Sequence, residues 1–136
     1  MRMLISVLVF LCFLTTPMHS YADRIYEELL SAIEDDGGGK FLTPEKVYTG
    51  RIISGEAYVE SAEFDNSTGG FTIELVKDPE LPSLFPNLII EVDEDSPYLE
   101  RARNLSKGEK IFFSGRFDRI FSNSIWIKQD VIIRPQ

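Results

Sequence analysis

Cysteine and histidine are almost absent from this sequence of 136 residues, which holds one of each. Both lie close to the amino terminus, as Cys12 and His19. If that segment is removed, the rest of the chain has no cysteine for an internal disulfide bond. It also lacks the usual general base, the usual zinc ligand and the Ser-His or Cys-His nucleophile pair. The fate of the first residues therefore decides which chemistries are open to the protein.

The only long apolar run lies at the amino terminus. Arg2 is followed by 12 residues without a charge. Pro17 lies beyond them, and the segment ends in the small residues Ser20 and Ala22. One basic residue, a short apolar core and a small-x-small ending are typical of a secretory signal peptide, and the run is shorter than the ~20 residues of a membrane-spanning helix. We predict a signal peptide over residues 1–22 and a secreted or periplasmic protein; the alternative is a retained membrane anchor.

Acidic residues outnumber basic residues by 22 to 14. Because Arg2 is the only charged residue of the predicted signal peptide, the remaining chain has a formal net charge of −9. The last third is basic: residues 101–136 hold 8 basic and 3 acidic residues, whereas residues 23–100 hold 5 and 19. Overall acidity argues against a general polyanion binder, since phosphate contacts need clustered Lys and Arg. The basic last third can still form a local positive patch. The alternative is that strands from both parts lie beside one another in the fold, which would mix their charges.

Hydrophobic periodicity predicts one helix followed by several strands. Apolar residues at positions 25, 26, 29, 30 and 33 form the stripe of an amphipathic helix over Asp23–Ile33, and the glycines within residues 35–40 predict a linker. Period-two alternation predicts strands over Lys46–Phe64, Phe71–Leu75, Asn87–Val92, Lys110–Phe117 and Ser124–Ile133. Glycines at 50 and 55 predict bends in the first of these strands.

A second helix is predicted between the third and fourth strands. Ser96 can cap a helix that begins at Pro97 and ends near Leu105. Asp93 and Asp95 lie just before it, where negative charge is favoured by the helix dipole. We interpret them as helix-start charges, since the ligand spacing of an EF-hand calcium site is missing.

Five strands with a helix between the third and the fourth resemble the oligonucleotide/oligosaccharide-binding (OB) fold. The resemblance is carried by the stretches LERARNLSKGEKIFFSGRF and SIWIKQDVII. These are similar to the helix, the Lys-Gly turn, the fourth strand with its glycine and the fifth strand of secreted bacterial OB-fold proteins and anticodon-binding-type domains. The resemblance implies a mainly β fold, with a five-stranded barrel over residues 41–136 behind an accessory helix and linker over residues 23–40. An SH3-like barrel would not explain the position of the helix.

Basic and aromatic residues cluster near the predicted connection between strands four and five. The candidate ligand-binding residues are Arg116, Arg119, Phe121 and Lys128. In an OB barrel this connection and the loop after strand one, here residues 65–70, border the ligand groove. Arginine and aromatic side chains together can stack on and neutralise a base, a sugar or an acidic peptide. The alternative is that the aromatic rings cap the end of the barrel.

The sequence favours a non-catalytic binding or adaptor module over an enzyme. It predicts no cofactor and no metal, because it contains no nucleophile–base pair, cofactor motif or metal-ligand spacing. The expected partner is a protein or a small anionic ligand, and neither nucleic acid nor a stable membrane anchor is expected. Two alternatives stay open: a nucleic-acid-binding protein that uses the basic last third, and a carboxylate- or calcium-dependent enzyme.

Overall fold

The computed structural model describes residues 21–34, 42–80 and 86–135. Most of the predicted signal peptide and the whole predicted linker over residues 35–40 lie outside these ranges. The helices are α1 (Tyr21–Glu34), α2 (Leu42–Tyr48) and α3 (Leu99–Arg103). The strands are β1 (Ile52–Phe64), β2 (Phe71–Val76), β3 (Leu88–Val92), β4 (Lys110–Phe121) and β5 (Ser124–Pro135). Within the described ranges, no helix has the length and apolar character needed to cross a membrane.

The strands close into a barrel in the order β1-β2-β3-β5-β4, and β4 pairs with β1 to complete it. Only β3 and β5 run parallel; every other neighbouring pair is antiparallel. In the sequence, α3 lies between β3 and β4. This confirms the predicted fold class: a mainly β, five-stranded OB-fold barrel with a helix between strands three and four and an accessory N-terminal helix.

Alternation along the strands builds the core of the barrel. In β2, Ile73 and Leu75 are fully buried, whereas Thr72 and Glu74 beside them are only half-buried. The fully buried side chains of the other strands include Ile53, Leu88, Ile90, Ile111, Phe113, Ile125, Ile127 and Ile133. Burying each such side chain contributes ~1.5–3 kcal/mol. Apolar packing is therefore the main force that holds the described barrel together.

Helix α1 packs its predicted apolar stripe against the barrel. Ile25, Leu29 and Leu30 are buried, and the ring of Tyr26 meets the ring of Phe113 edge to face at 4.9 Å between centroids. At its amino-terminal end, the hydroxyl of Ser54 donates a hydrogen bond of 2.5 Å to the carboxylate of Asp23. The accessory helix is thus part of the same core as the strands.

The chain before β1 is helical, and the prediction that a strand begins at Lys46 was wrong. Residues Leu42–Tyr48 form α2, with Glu45 in the first turn, where the helix dipole favours an acidic residue. Proline is also tolerated in a first helical turn, so the stretch Thr-Pro-Glu fits the start of a helix. Gly50 follows with φ of +84°, the left-handed conformation that commonly ends a helix. The order of apolar and polar residues in this short segment fits the period of a helix and the period of a strand equally well, which explains the wrong prediction.

Strand β1 carries a bulge in its second half. Its register is continuous across Gly55, and the shift lies between Val59 and Ser61 in the pairing with β2. A Cβ atom at Gly55 would lie 2.5 Å from Cδ1 of Tyr26. The glycine therefore makes room for α1, and the bend predicted there stays a prediction.

Helix α3 is shorter than predicted, and its start is set by Ser96. The hydroxyl of Ser96 accepts a hydrogen bond of 3.1 Å from the backbone N–H of Tyr98, and its carbonyl accepts one of 3.2 Å from the N–H of Leu99. The residues from Pro97 to Tyr98 form this turn, and the helix itself runs from Leu99 to Arg103. Its buried residue is Ala102, which packs on the core.

Strand β4 continues to Phe121, so the predicted loop between strands four and five was wrong. The connection is a two-residue turn, Ser122–Asn123, in which both residues have positive φ, 51° and 62°. Such turns match the right-handed twist of paired strands and favour Asn and Gly. Arg119 and Phe121 therefore lie on a strand rather than in a loop.

Candidate ligand-binding face

Two turns border the outer face of β2 and β3 at opposite ends. Phe71 pairs with Val92, which places the β1–β2 turn (residues 65–70) beside the end of β3. Leu88 pairs with Ile125, and the hydroxyl of Ser124 donates to the carbonyl of Pro86 at 2.5 Å, so the β4–β5 turn lies beside the start of β3. In OB barrels, ligands bind across the outer face that these two turns enclose.

The pairing registers define a row of side chains that crosses this face. Ser61 pairs with Glu74, Glu74 with Ile89, Ile89 with Trp126, and Trp126 with Arg119. At one end of the row, the hydroxyl of Ser61 donates to the carboxylate of Glu74 at 3.1 Å. The row therefore changes from hydroxyl and carboxylate to aliphatic, aromatic and guanidinium groups.

The basic end of the row is a stacked cluster that we call the hairpin patch: Arg119, Phe121 and Trp126. The guanidinium carbon of Arg119 lies 4.7 Å from the ring centroid of Trp126 and 6.0 Å from that of Phe121. Each such cation–π contact is worth ~0.5–1 kcal/mol at an exposed site. Phe121 is 60% exposed, so its ring is a surface group and does not cap the core. Phe117, by contrast, is buried in the barrel.

The indole of Trp126 is half-buried and its N–H is fully covered. Among the described residues, no acceptor lies within hydrogen-bond distance of this N–H. An unsatisfied buried donor costs ~1–3 kcal/mol. The hairpin patch thus contains a polar group whose hydrogen bond this part of the chain does not supply.

The other two candidate residues lie next to the hairpin patch on the same outer face. Arg116 pairs with Lys128 across β4 and β5. Nε of Arg116 lies 2.5 Å from Oδ2 of Asp130, and Nη1 donates to the carbonyl of Gly50 at 2.8 Å. Nζ of Lys128 lies 3.5 Å from Oε2 of Glu91. The structure thus brings all four predicted residues to neighbouring outward positions of one hairpin.

Each of the three predicted binding cations, Arg116, Arg119 and Lys128, has a carboxylate beside it. Nη1 of Arg119 lies 2.7 Å from Oδ2 of Asp118, which completes the set with the Arg116–Asp130 and Lys128–Glu91 pairs. These pairs are partly exposed and each is worth only ~0–1 kcal/mol. A ligand group can therefore replace any one of these carboxylates at little cost in free energy. The three cations and the three carboxylates together have a net charge of zero.

The β1–β2 turn at the far end of the face is held by its own polar groups. The carboxylate of Asp65 accepts hydrogen bonds from the hydroxyl of Ser67 at 2.6 Å and from its backbone N–H at 2.9 Å. These bonds hold the pKa of Asp65 below its usual value, with the hydroxyl as the main cause. Gly70 passes so close to β3 that a Cβ atom would lie 2.1 Å from the carbonyl oxygen of Val92. The turn therefore has a defined shape and position.

The acidic residues before α3 take part in the turn that leads into it. The carbonyl of Asp93 accepts the N–H of Ser96 at 3.0 Å. Within the described ranges, no three His, Cys, Asp or Glu side chains are grouped so that they could hold a metal ion.

No protein-family profile matches this chain, and no curated protein matches it.

Sequence reasoning grouped Arg119, Phe121 and Trp126 but did not predict that Arg119 stacks on the indole ring. Strict alternation from the buried Phe117 would turn Asp118 outward and Arg119 inward. A register shift between Phe117 and Arg119 reverses this and places Arg119 opposite Trp126. The glycine-free stretch Asp118–Phe121 carries no local signal for such a bulge.

Proposed function

We propose that this protein is an exported, non-catalytic OB-fold binding or adaptor module that takes a protein or a small anionic ligand at the hairpin patch. One observation carries the proposal: an exposed phenylalanine stands beside an arginine that is already oriented on an indole ring. Aromatic and arginine side chains dominate the binding energy of protein interfaces, because they bury much area and lose little conformational freedom. The outer face of an OB barrel is also the position at which such modules bind ligands.

The neutral balance of charge at the hairpin favours a compact partner. A long polyanion needs several free cations in a row, whereas Arg116, Arg119 and Lys128 are each paired with a carboxylate. A single anionic group of a partner needs only one cation. It can take the place of the protein carboxylate beside that cation, and it does not require a strongly positive surface.

The resemblance to secreted bacterial OB-fold proteins supports the proposed export. If the signal peptide is cut after Ala22, the intact mass of the exported protein will match a chain that begins at Asp23. The cut would remove the exposed Tyr21 and leave the buried stripe of α1, which starts at Ile25, complete. A mass that includes Met1, or a lipid attached to Cys12, would contradict the proposed processing.

A double substitution tests the hairpin patch as the binding site. Arg119→Glu with Phe121→Ala is expected to lower partner recovery at least tenfold, because it reverses the stacked charge and removes the exposed ring. The variant loses two cation–π contacts and one partly exposed ion pair, so the free energy of unfolding should fall by about 1–3 kcal/mol and the protein should stay folded. The measurements are quantitative recovery of cross-linked partners from a periplasmic extract and a thermal melt of each variant.

The control makes one charge reversal and one apolar truncation elsewhere on the surface. Arg101→Glu with Val47→Ala reverses one exposed charge on α3 and truncates one exposed apolar side chain on α2. This control is expected to recover the partner as the unsubstituted protein does. Equal recovery by all three proteins would show that the hairpin patch is not the binding site, and a loss of folding in Phe121→Ala alone would assign its ring a structural role.

A further inference from the structure

Strand β1 changes partners halfway along its length. Residues Ile52–Tyr58 pair with β4, and the pairing with β2 begins only at Tyr58. Each strand has two hydrogen-bonding edges, so the first half of β1 uses one edge for β4. Within the described ranges, no strand pairs with the other edge of that half.

The hydrogen bonds at Val59 show which residues use which edge. Its N–H donates to the carbonyl of Glu109 at 2.8 Å, and its carbonyl accepts the N–H of Gly108 at 2.7 Å, so Val59 faces the β4 side. In an antiparallel ladder, successive residues direct their N–H and C=O groups to opposite edges. The register from Ile52 to Tyr58 has no shift. The backbone groups of Ser54 and Glu56 therefore face the unpaired edge.

This edge opens into a cleft between α1 and the barrel. The α1 cleft has a volume of about 490 Å³, and its lining includes Tyr26, Glu27, Leu30, Ser54, Glu56 and Phe112. That volume lies within the ~300–1,000 Å³ that small-ligand sites occupy. Buried Leu30 and Tyr26 and half-buried Phe112 supply apolar surface beside the polar strand edge.

Negative charge exceeds positive charge around the α1 cleft. The carboxylates of Asp23, Glu27 and Glu56 line it, and Lys77 is the one cation among its lining residues. Lys110 lies outside the lining, with Nζ 3.3 Å from Oε2 of Glu56. Cleavage after Ala22 would add the α-amino group of Asp23 to the positive groups, so the cleft as a whole would be close to neutral. Among the described residues, however, the carboxylate of Glu27 has no ion-pair partner, and a ligand that enters the cleft gains from a positive charge beside it.

We infer that the α1 cleft binds a short extended segment of a partner protein, in which an apolar residue is flanked by Lys or Arg. The segment pairs its backbone with Ser54 and Glu56 as an added strand, and this mode of recognition takes affinity from main-chain hydrogen bonds and specificity from pockets for alternate side chains. Its apolar side chain packs on half-buried Phe112, and its basic side chains lie near Glu27 and Glu56. This site is separate from the hairpin patch and does not depend on the function proposed for it.

Three synthetic peptides test the inference on the ¹⁵N-labelled protein by NMR titration. The probe is acetyl-Lys-Val-Lys-Val-Lys-amide, and it is expected to shift the backbone amide signals of Ser54 and Glu56. The first control replaces every Lys with Glu, and the second carries N-methyl groups on its backbone. Both controls are expected to bind at least tenfold more weakly, because one has the wrong charge and the other cannot pair as a strand.

Two substitutions at one position separate backbone pairing from charge. Glu56→Pro removes the N–H that faces the cleft, and it should lower affinity for the probe at least tenfold. Glu56→Gln keeps that N–H and removes only the carboxylate, so a loss of threefold or less is expected. Glu27→Lys should narrow or reverse the preference for the Lys peptide over the Glu peptide. If Glu56→Pro fails to fold, the N-methylated peptide still tests whether binding depends on backbone hydrogen bonds, because it removes the donors of the peptide instead of that of the protein.

Several results would overturn the inference. Binding of the N-methylated peptide as tight as that of the probe would reduce the effect to charge attraction. A shift of the indole N–H signal of Trp126 in place of the amide signals of Ser54 and Glu56 would put the probe at the hairpin patch. Shifts at Ser54 and Glu56 that grow with protein concentration before peptide is added would identify a second copy of this chain as the occupant.

Discussion

Gly115→Val is expected to destabilise the barrel by at least about 3 kcal/mol, the upper part of the range for overpacked cores. Gly115 is buried in β4, where a Cβ atom would lie 2.4 Å from Cγ2 of Ile127 and 3.5 Å from Cγ2 of Val131. Valine adds two methyl groups beyond that Cβ. Since small domains are stable by only ~5–15 kcal/mol, chemical denaturation should show a large shift of the unfolding midpoint.

A double-substitution cycle shows whether the predicted clash is the cause. Gly115→Ala introduces the clashing Cβ alone, and Ile127→Ala removes the methyl group that it meets. The cost of Gly115→Ala should therefore be smaller in the Ile127→Ala protein than in the unsubstituted one, by ~0.5–3 kcal/mol of coupling. Equal costs in both backgrounds, or an unchanged midpoint in Gly115→Val, would contradict the packing described for β4 and β5.

Gly55→Val is expected to release α1 from the barrel. A Cβ atom at Gly55 would lie 2.5 Å from Cδ1 and 2.8 Å from Cε1 of Tyr26, whose ring is held against Phe113. Displacing that ring exposes its neighbours Leu29 and Leu30, each of which contributes ~1.5–3 kcal/mol by its burial. Hydrogen exchange should become much faster in α1 than in β2 and β3, and binding of the Lys-Val peptide should be lost with the cleft.

The control for this prediction keeps the glycine change and removes the ring. Tyr26→Ala alone should destabilise the attachment of α1, because it deletes a buried aromatic side chain at ~3–5 kcal/mol. Gly55→Ala should then add little in the Tyr26→Ala protein, since the two closest contacts of the new methyl group are gone and only Cζ of Phe113, at 3.3 Å, is left to meet it. A full additional cost in that background would show that Gly55 is required for the strand itself and not for the helix.

The sequence allowed the barrel to be predicted because its strands follow simple alternation. Ile73 and Leu75, or Leu88 and Ile90, share a face at a spacing of two, and this period follows directly from strand geometry. The stripe of α1 was equally clear, since Ile25, Leu29 and Ile33 recur at helical spacing. Where local pattern and tertiary packing agree, the elements were predicted within a few residues.

The missed elements are those in which the local pattern is ambiguous. Residues of α2 are too few to show a helical period, and Lys-Val-Tyr suits a strand equally well. At the β4–β5 hairpin, the turn uses Ser122 rather than glycine at a position with positive φ, so the usual hairpin signal is weak. The candidate site depended on this turn. The sequence predicted that its residues lie close together, but the stack of Arg119 on Trp126 follows from a bulge that only the pairing of the strands determines.

The division of β1 between two partners also sets the order in which the barrel can form. The pairing with β2 joins residues close in sequence, whereas the pairing with β4 joins Ile52–Tyr58 to residues 110–116. During synthesis, β1, β2 and β3 are complete before β4 emerges. The first half of β1 then has no paired neighbour on either edge, and unpaired strand edges are sites of aggregation. This segment is therefore open to pairing with other chains until β4 has been made.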